Sequence, residues 1–229
     1  MSIQLDRFRL KSLSFFGMLE AEDRKYAREQ LSIRVLKKGQ VLFREGTLSK
    51  GVYIVRKGRV KIYHTNDEGR ESIIYIYRRA EFFGYRPLLA GEPQPITAAA
   101  LDSAEVYFLP AQVFAELLER SDTLAKQLLI NLSREFSVWI NKVTVFSQFA
   151  VKERVALGLL LLCKVYNTED NPRPAIVIGR DDLASFVGTA KETVVRMLRV
   201  FKDSKIITSK GARITLLKPD VLREYLEHL

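Results

Sequence analysis

RDDLASFVGTAKETVVRMLRVFKDS, residues 180–204, is the stretch from which the rest of the chain can be read. Leu183, Ala184 and Val187 put apolar weight on one face of a first short helix. Asp181 and Asp182 suit the positive end of its dipole. Gly188 stands where the chain must turn sharply. Thr189, Ala190, Lys191 and Glu192 then have the form of a capping box, threonine at the cap and glutamate three residues on. In the second helix Val194, Leu198 and Phe201 recur at i, i+4 and i+7 and face inward. Lys191, Glu192, Val195, Arg196, Arg199 and Lys202 are left on the outer side. A helix braced from behind and studded outward with Lys, Arg and one Glu is how a helix-turn-helix enters the major groove of DNA.

The bulk composition agrees with an anionic partner. A net charge of +10 on 229 residues favours nucleic acid first and a membrane surface second, although charge alone equally describes a solvated basic surface. Hydrophobic content of 47% is ample for one large or two modest cores. The one cysteine, Cys163, leaves no intramolecular disulfide and no cysteine-ligated iron–sulfur cluster. Its neighbours Leu159, Leu160, Leu161 and Leu162 mark it as a core thiol. The first residues carry too much charge for a signal peptide, and no apolar run is long enough to span a membrane. The expected location is the cytoplasm.

Working outward from the helix pair, residues 10–31 read as short N-terminal helices with Phe15, Phe16, Met18 and Leu19 turned to a core. Between Ile33 and Leu109 the texture changes to short β-branched and aromatic runs at 41–43, 51–55, 59–63 and 72–77, punctuated by glycines. Such spacing predicts an antiparallel barrel or jelly roll. Lys57 and Gly58 read as a hairpin turn. A short helix through Phe114, Leu117 and Leu118 leads to an N-cap at Ser121–Asp122. Leu124, Leu128, Leu132, Phe136, Trp139, Val143 and Phe146 then follow three or four residues apart, a coiled-coil-like seam on a helix over 122–147. A stripe like this pairs chains or packs on its own roll, and pairing is the stronger reading. A leucine-dense helix over 151–166, an exposed turn at 167–174 and a short strand at 176–178 come next. The start of that helix, near Ala150, shows no acidic or hydroxyl cap. Beyond the helix-turn-helix, segments 206–209 and 212–217 flank Lys210–Gly211 as a β-hairpin wing, and a small helix over 219–226 closes the chain.

The run LASFVGTAKETVVRML resembles the recognition motif of the CRP/FNR superfamily of bacterial transcription regulators, where G-x-S-R-E-T-V-x-R is typical. Here that pattern is Gly188-Thr189-Ala190-Lys191-Glu192-Thr193-Val194-Val195-Arg196. KKGQVLFREGTLSKGVYIVRKGRVKIY resembles the β-roll sensor of the same superfamily, and the likeness covers nearly the whole chain. The resemblance implies an α+β chain: an antiparallel, jelly-roll-like β-roll sensor (1–120), a long central dimerisation helix (121–148) and a C-terminal winged helix-turn-helix (149–229). It implies double-stranded DNA and a second copy of the chain as partners, with RNA polymerase a further candidate, and no membrane partner. Lys191 takes a position where the family often has arginine, and lysine lacks the rigid fork that grips guanine.

Arg196 suits bidentate contact to guanine O6 and N7, ahead of a phosphate contact. Glu192 either accepts from a cytosine amino group or closes the capping box. Lys191 and Val195 complete the base-reading set. Arg180, Thr193, Arg199, Lys202, Lys210 and Arg213 are expected on phosphates. Cyclic-AMP-binding members carry a G-E-F-x-G-E run and a later arginine for the cyclic phosphate. The run here is Ala80-Glu81-Phe82-Phe83-Gly84-Tyr85, with tyrosine in place of the second glutamate, and the arginine position falls near Ile96. An effector pocket would use Phe82, Gly84, Tyr85, Arg86, Ile96 and Thr97, for a ligand expected not to be cyclic AMP. The effector is otherwise unidentified. No cofactor, catalytic residue or metal site is identified: His64 and His228 are too few for a cupin-type cluster, and no P-loop, G-x-S-x-G or H-E-x-x-H occurs. The rivals are a nucleotide-binding β-roll module that acts through protein partners and a cupin-like enzyme. The Lys191–Arg196 face argues against the first and the missing metal cluster against the second.

Overall fold

The computed structural model describes residues 4–10, 14–167 and 175–226. His228 and the expected turn beyond Asn167 lie outside the described residues. The chain divides into two compact units. One holds residues 10–66 and 74–136, and the other holds the remainder.

The first unit carries the β-roll, apart from the first three residues of its fifth strand. Its strands are β1 (Ser32–Leu36), β2 (Val41–Phe43), β3 (Gly51–Lys57), β4 (Val60–Thr65), β5 (Glu71–Tyr77), β6 (Phe82–Phe83), β7 (Thr97–Ala100) and β8 (Ala104–Pro110). They form two four-stranded sheets in the orders β1-β8-β3-β6 and β2-β7-β4-β5. β1 and β3 run antiparallel to β8, and β2 and β4 run antiparallel to β7. Gly58 does turn the chain with a positive φ of 75°. The turn is not a hairpin, however: β3 and β4 lie in different sheets, so it carries the chain from one to the other. A β-carbon on Gly58 would collide with the backbone of Ser103 and Ala104, so the crossover needs glycine on two counts.

Aromatic rings fill the roll. Tyr53 stacks on Phe83 at 5.6 Å, Tyr77 stacks on the same ring at 4.7 Å, and Phe43 packs beside both Tyr53 and Phe83. Helices α1 (Ala21–Glu29), α2 (Tyr85–Ala90) and α3 (Ala111–Arg120) and the start of α4 (Asp122–Gln148) close a second cluster with Phe15, Ile54, Phe82, Leu109, Phe114 and Leu117. The Ser121 hydroxyl accepts from the Leu124 N–H at 3.2 Å and caps α4, as the sequence predicts. α4 has 27 residues and is about 40 Å long.

The second unit contains α5 (Val151–Tyr166), β9 (Ile176–Val177), α6 (Arg180–Val187), α7 (Lys191–Asp203), β10 (Ile207–Lys210), β11 (Arg213–Leu216) and α8 (Pro219–Glu224). β10, β11 and β9 make a three-stranded antiparallel sheet in that order, which is the wing. Leu159, Leu162, Leu183, Val194, Phe201, Ile214 and Leu222 are fully buried between these elements. Each such side chain contributes roughly 1.5–3 kcal/mol by leaving water. α5 and α6 approach closely at Gly158, where a β-carbon would run into Val187. The break between α4 and α5 is capped from inside the new helix. Glu153 Oε2 accepts the Ala150 N–H at 2.8 Å, so a glutamate at the third position does what the Ala150 side chain cannot. Cys163 is only half-buried, and burial pushes its thiol above the ordinary range.

Candidate nucleic-acid interface

The turn is built on Gly188, whose backbone is left-handed at φ 65°, ψ 50°. Its N–H bonds back to the Ala184 carbonyl and closes α6. A β-carbon at this position would strike the Phe146 ring. The Gly188 carbonyl in turn accepts from Arg154 Nη1 at 2.8 Å, which fastens the turn to α5. Sequence reasoning missed this contact, since Arg154 reads as one more charge on an amphipathic helix.

α7 begins one residue later than expected. Its N-cap is Ala190, with no side-chain cap, and Glu192 sits in the first turn. The predicted capping box between Thr189 and Glu192 is therefore not formed. Thr189 instead donates its backbone N–H to the Ala184 carbonyl at 3.1 Å as part of the turn. Glu192 near the helix start still interacts favourably with the dipole.

Val194, Leu198 and Phe201 are buried behind the helix. Lys191, Glu192, Val195, Arg196, Arg199 and Lys202 are all exposed, and Thr193 is half-buried. Val195 is 48% exposed, a large apolar side chain on an otherwise charged face. Lys191 Nζ lies 2.9 Å from Asp181 Oδ1, an ion pair across the turn. Both partners are exposed, so the pair is weak and releases its lysine at little cost. Arg199 Nε is 3.8 Å from Asp203 Oδ2, likewise on the surface.

At the wing, Lys210 pairs in register with Arg213 on either side of the Gly211–Ala212 turn, and both side chains are exposed. Arg180 is placed differently from a free phosphate ligand. Its Nη2 donates to the Gly211 carbonyl at 2.7 Å, and desolvation pushes its pKa below the usual arginine value. Arg180 thus ties the wing's turn to the start of α6.

In the seam, Leu124 and Leu128 belong to the roll's own core, and Leu132 packs partly against it. Trp139 is half-buried. The exposed apolar stripe begins later, at Leu129, and continues through Phe136 (65% exposed), Ile140, Val143 (67%) and Phe146. Leu129, Phe136 and Val143 are spaced by seven, as are Leu132, Trp139 and Phe146, the a and d positions of a heptad.

In the effector segment, Phe82 and Tyr85 pack together with ring centroids 5.2 Å apart, and Gly84 caps α2 in the left-handed region. The Tyr85 hydroxyl donates to Glu135 Oε1 at 3.0 Å and accepts from Asn131 Nδ2 at 2.8 Å. Arg86 Nε stands 3.7 Å from Glu135 Oε2. Burial raises both the Glu135 carboxyl and the Tyr85 hydroxyl above their ordinary pKa ranges, although Arg86 opposes the shift at Glu135. Ile96 is half-buried, and the Thr97 hydroxyl accepts the Glu45 N–H at 3.1 Å. Asn131 and Glu135 were not legible as site residues, because polar residues inside a helical stripe look like its solvated face. His64 is exposed and pairs with Glu45 at 2.9 Å.

Among the described residues, no cluster of three or more His, Cys, Asp or Glu is placed to hold a metal ion. None of the described helices is long and apolar enough to cross a membrane.

Comparison with known proteins covers both units. Residues 33–121 match the cyclic nucleotide-binding domain, and residues 153–225 match the Crp-like helix-turn-helix domain. The transcriptional activator protein Anr of Pseudomonas protegens is 29% identical over 188 residues, 81% of this chain and 77% of that protein. The fumarate and nitrate reduction regulatory protein of Escherichia coli is 26% identical over 195 residues, 84% of this chain and 78% of that one. The structure of FixK2 from Bradyrhizobium japonicum superposes with a TM-score of 0.75 at 20% identity, over 85% of this chain and 96% of that one, which speaks to the fold.

Proposed function

The chain belongs to the CRP/FNR superfamily of DNA-binding transcription regulators, and from that premise we propose that it acts as a homodimer on an inverted-repeat operator. The observation that carries this reading is the outer face of α7, where Lys191, Glu192, Val195 and Arg196 all stand free of the core that holds Val194, Leu198 and Phe201. Arg196 is assigned to a guanine and Glu192 to a cytosine amino group; with Ala190 at the cap, Glu192 has no capping duty left. Val195 is assigned to a thymine methyl, the apolar feature that the major groove offers. Thr193, Arg199, Lys202, Lys210 and Arg213 are assigned to phosphates, and Arg180 to positioning the wing. The exposed stripe on α4 supports pairing of two chains through Phe136, Ile140 and Val143.

The signal is proposed not to be cyclic AMP or cyclic GMP. Tyr85 and Ile96 stand where the resemblance expects a glutamate and an arginine, and the Tyr85 hydroxyl is already bonded to Glu135 and Asn131. The proposed place of action is the cytoplasm, with RNA polymerase as a further partner, testable by a joint footprint on promoter DNA. Selection of binding sites from random DNA by the purified full chain tests the main reading. Enrichment of an inverted repeat with a G·C pair in each half-site is expected. Failure to enrich any sequence would overturn it.

A further inference from the structure

The outer face of α1, in the first unit, carries an open concavity of about 310 Å³ lined by Ala21, Arg24, Lys25, Arg28 and Glu29. That volume lies at the small end of the range for ligand pockets. Three of these side chains are cationic, and Glu29, the last residue of the helix, is the one anion among them. Arg24 and Arg28 stand four residues apart, so their like charges repel each other along the helix face. Among the described residues, neither Lys25 nor Arg28 pairs with a carboxylate. Asp23, on the same helix, is buried and is taken by Arg120 at 3.2 Å.

Both guanidiniums are held in place without being neutralised. Arg24 Nη2 donates to the Leu19 carbonyl at 2.8 Å, while its Nε is shielded from solvent and has no hydrogen-bond partner. The Arg28 guanidinium lies 5.4 Å from the centre of the Phe16 ring. A carbonyl and a ring face position a cation and leave its full charge in force. Lys25 stands exposed beside them. Guanidiniums fixed in this way lose little freedom on gripping an anion, and their forks match the oxygens of a phosphate.

We propose that this face of α1 is a binding site for a small ligand with two or three linked phosphates, either inorganic or carried by a nucleoside. At their spacing Arg24 and Arg28 have β-carbons roughly 5–6 Å apart, so one phosphate of such a ligand can meet each guanidinium. Lys25 adds a third cation, a point charge that needs no fixed geometry. Glu29 opposes the ligand's charge from the rim and limits how tightly it is held. The site uses no residue assigned to DNA, so it is independent of the function proposed above.

The test uses the full chain without DNA. Pyrophosphate, tripolyphosphate and ADP are titrated separately by calorimetry at constant ionic strength in excess sulfate, with thermal melting alongside. A saturable heat and a rising Tm are expected. Tighter binding of ADP than of pyrophosphate assigns the nucleoside as carrier, and the reverse assigns the inorganic ion. Lys25→Ala and Arg28→Ala, both at exposed positions, are each expected to weaken binding roughly tenfold, the loss of one charge-assisted contact. Glu29→Gln is expected to tighten it. A crystal of the unmodified chain grown with pyrophosphate is expected to show the ion between Arg24 and Arg28, which decides the matter even if a variant folds poorly. No saturable heat, unchanged binding in the folded Lys25→Ala and Arg28→Ala chains, or pyrophosphate found only against other cations would overturn the site.

Discussion

Replacing Arg196 with Ala is expected to cost about 1–3 kcal/mol of operator binding and to relax the preference at one base position. Binding curves on operators varied at that position check it; an equal loss on every sequence would make Arg196 a phosphate contact. For Val195, uracil in place of one thymine is expected to weaken the unmodified chain, and Val195→Ala is expected to bind both operators alike. A third side chain carries a pH dependence. Burial raises the Glu135 carboxyl, so the folded chain holds that proton more tightly than the unfolded chain does. Stability should therefore fall as pH rises from the ordinary carboxylate range through the folded pKa. Glu135→Gln should melt close to the unmodified chain at about pH 4 and above it at about pH 8, a difference that thermal melts would reveal. At this scale the sequence was legible where spacing decides: Val194, Leu198 and Phe201 lie inward as their period requires. It was not legible where a local bond decides. Threonine is the better cap by preference, yet the helix starts from Ala190 because Thr189 gives its N–H to the turn.

The helix α4 illustrates the same division for whole elements. Its extent and its Ser121 cap follow from apolar period and residue type. Which part of the stripe meets which partner does not, since a buried leucine and a pairing leucine have the same spacing. The structure assigns Leu124 and Leu128 to the roll and leaves Leu129, Phe136, Ile140, Val143 and Phe146 exposed. Two substitutions separate the roles. Leu124→Ala removes a core side chain and is expected to cost about 2–5 kcal/mol of folding stability. Phe136→Glu sits on an exposed face, so the fold should hold while sedimentation reports a monomer and operator affinity drops. A stable dimer in that variant would place the pairing surface elsewhere. Other elements escaped the sequence for physical reasons. β7 is a run of alanines that favours helix by propensity, yet it forms a strand between β2 and β4, with Ala98, Ala99 and Ala100 buried. The turn at Gly58 has the composition of a hairpin, and only the sheet order reveals the crossover.

For the whole molecule, a roll, a long helix and a winged helix-turn-helix in that order were legible because each has its own period: alternation with glycine turns, a heptad-like stripe, and paired short helices. The identity of the signal was not, because it depends on which polar groups meet inside the roll. Calorimetry with cyclic AMP and cyclic GMP is expected to give no tight binding; a micromolar Kd, about −8 kcal/mol, would mean that other residues replace the missing anchors. Two copies of α7 are proposed to read DNA together, and footprinting the full chain on its selected site is the decisive check. Two protected half-sites are expected in inverted orientation, centred about one helical turn apart and each with a G·C pair whose importance disappears in Arg196→Ala. A single protected half-site, or protection that ignores sequence, would contradict it.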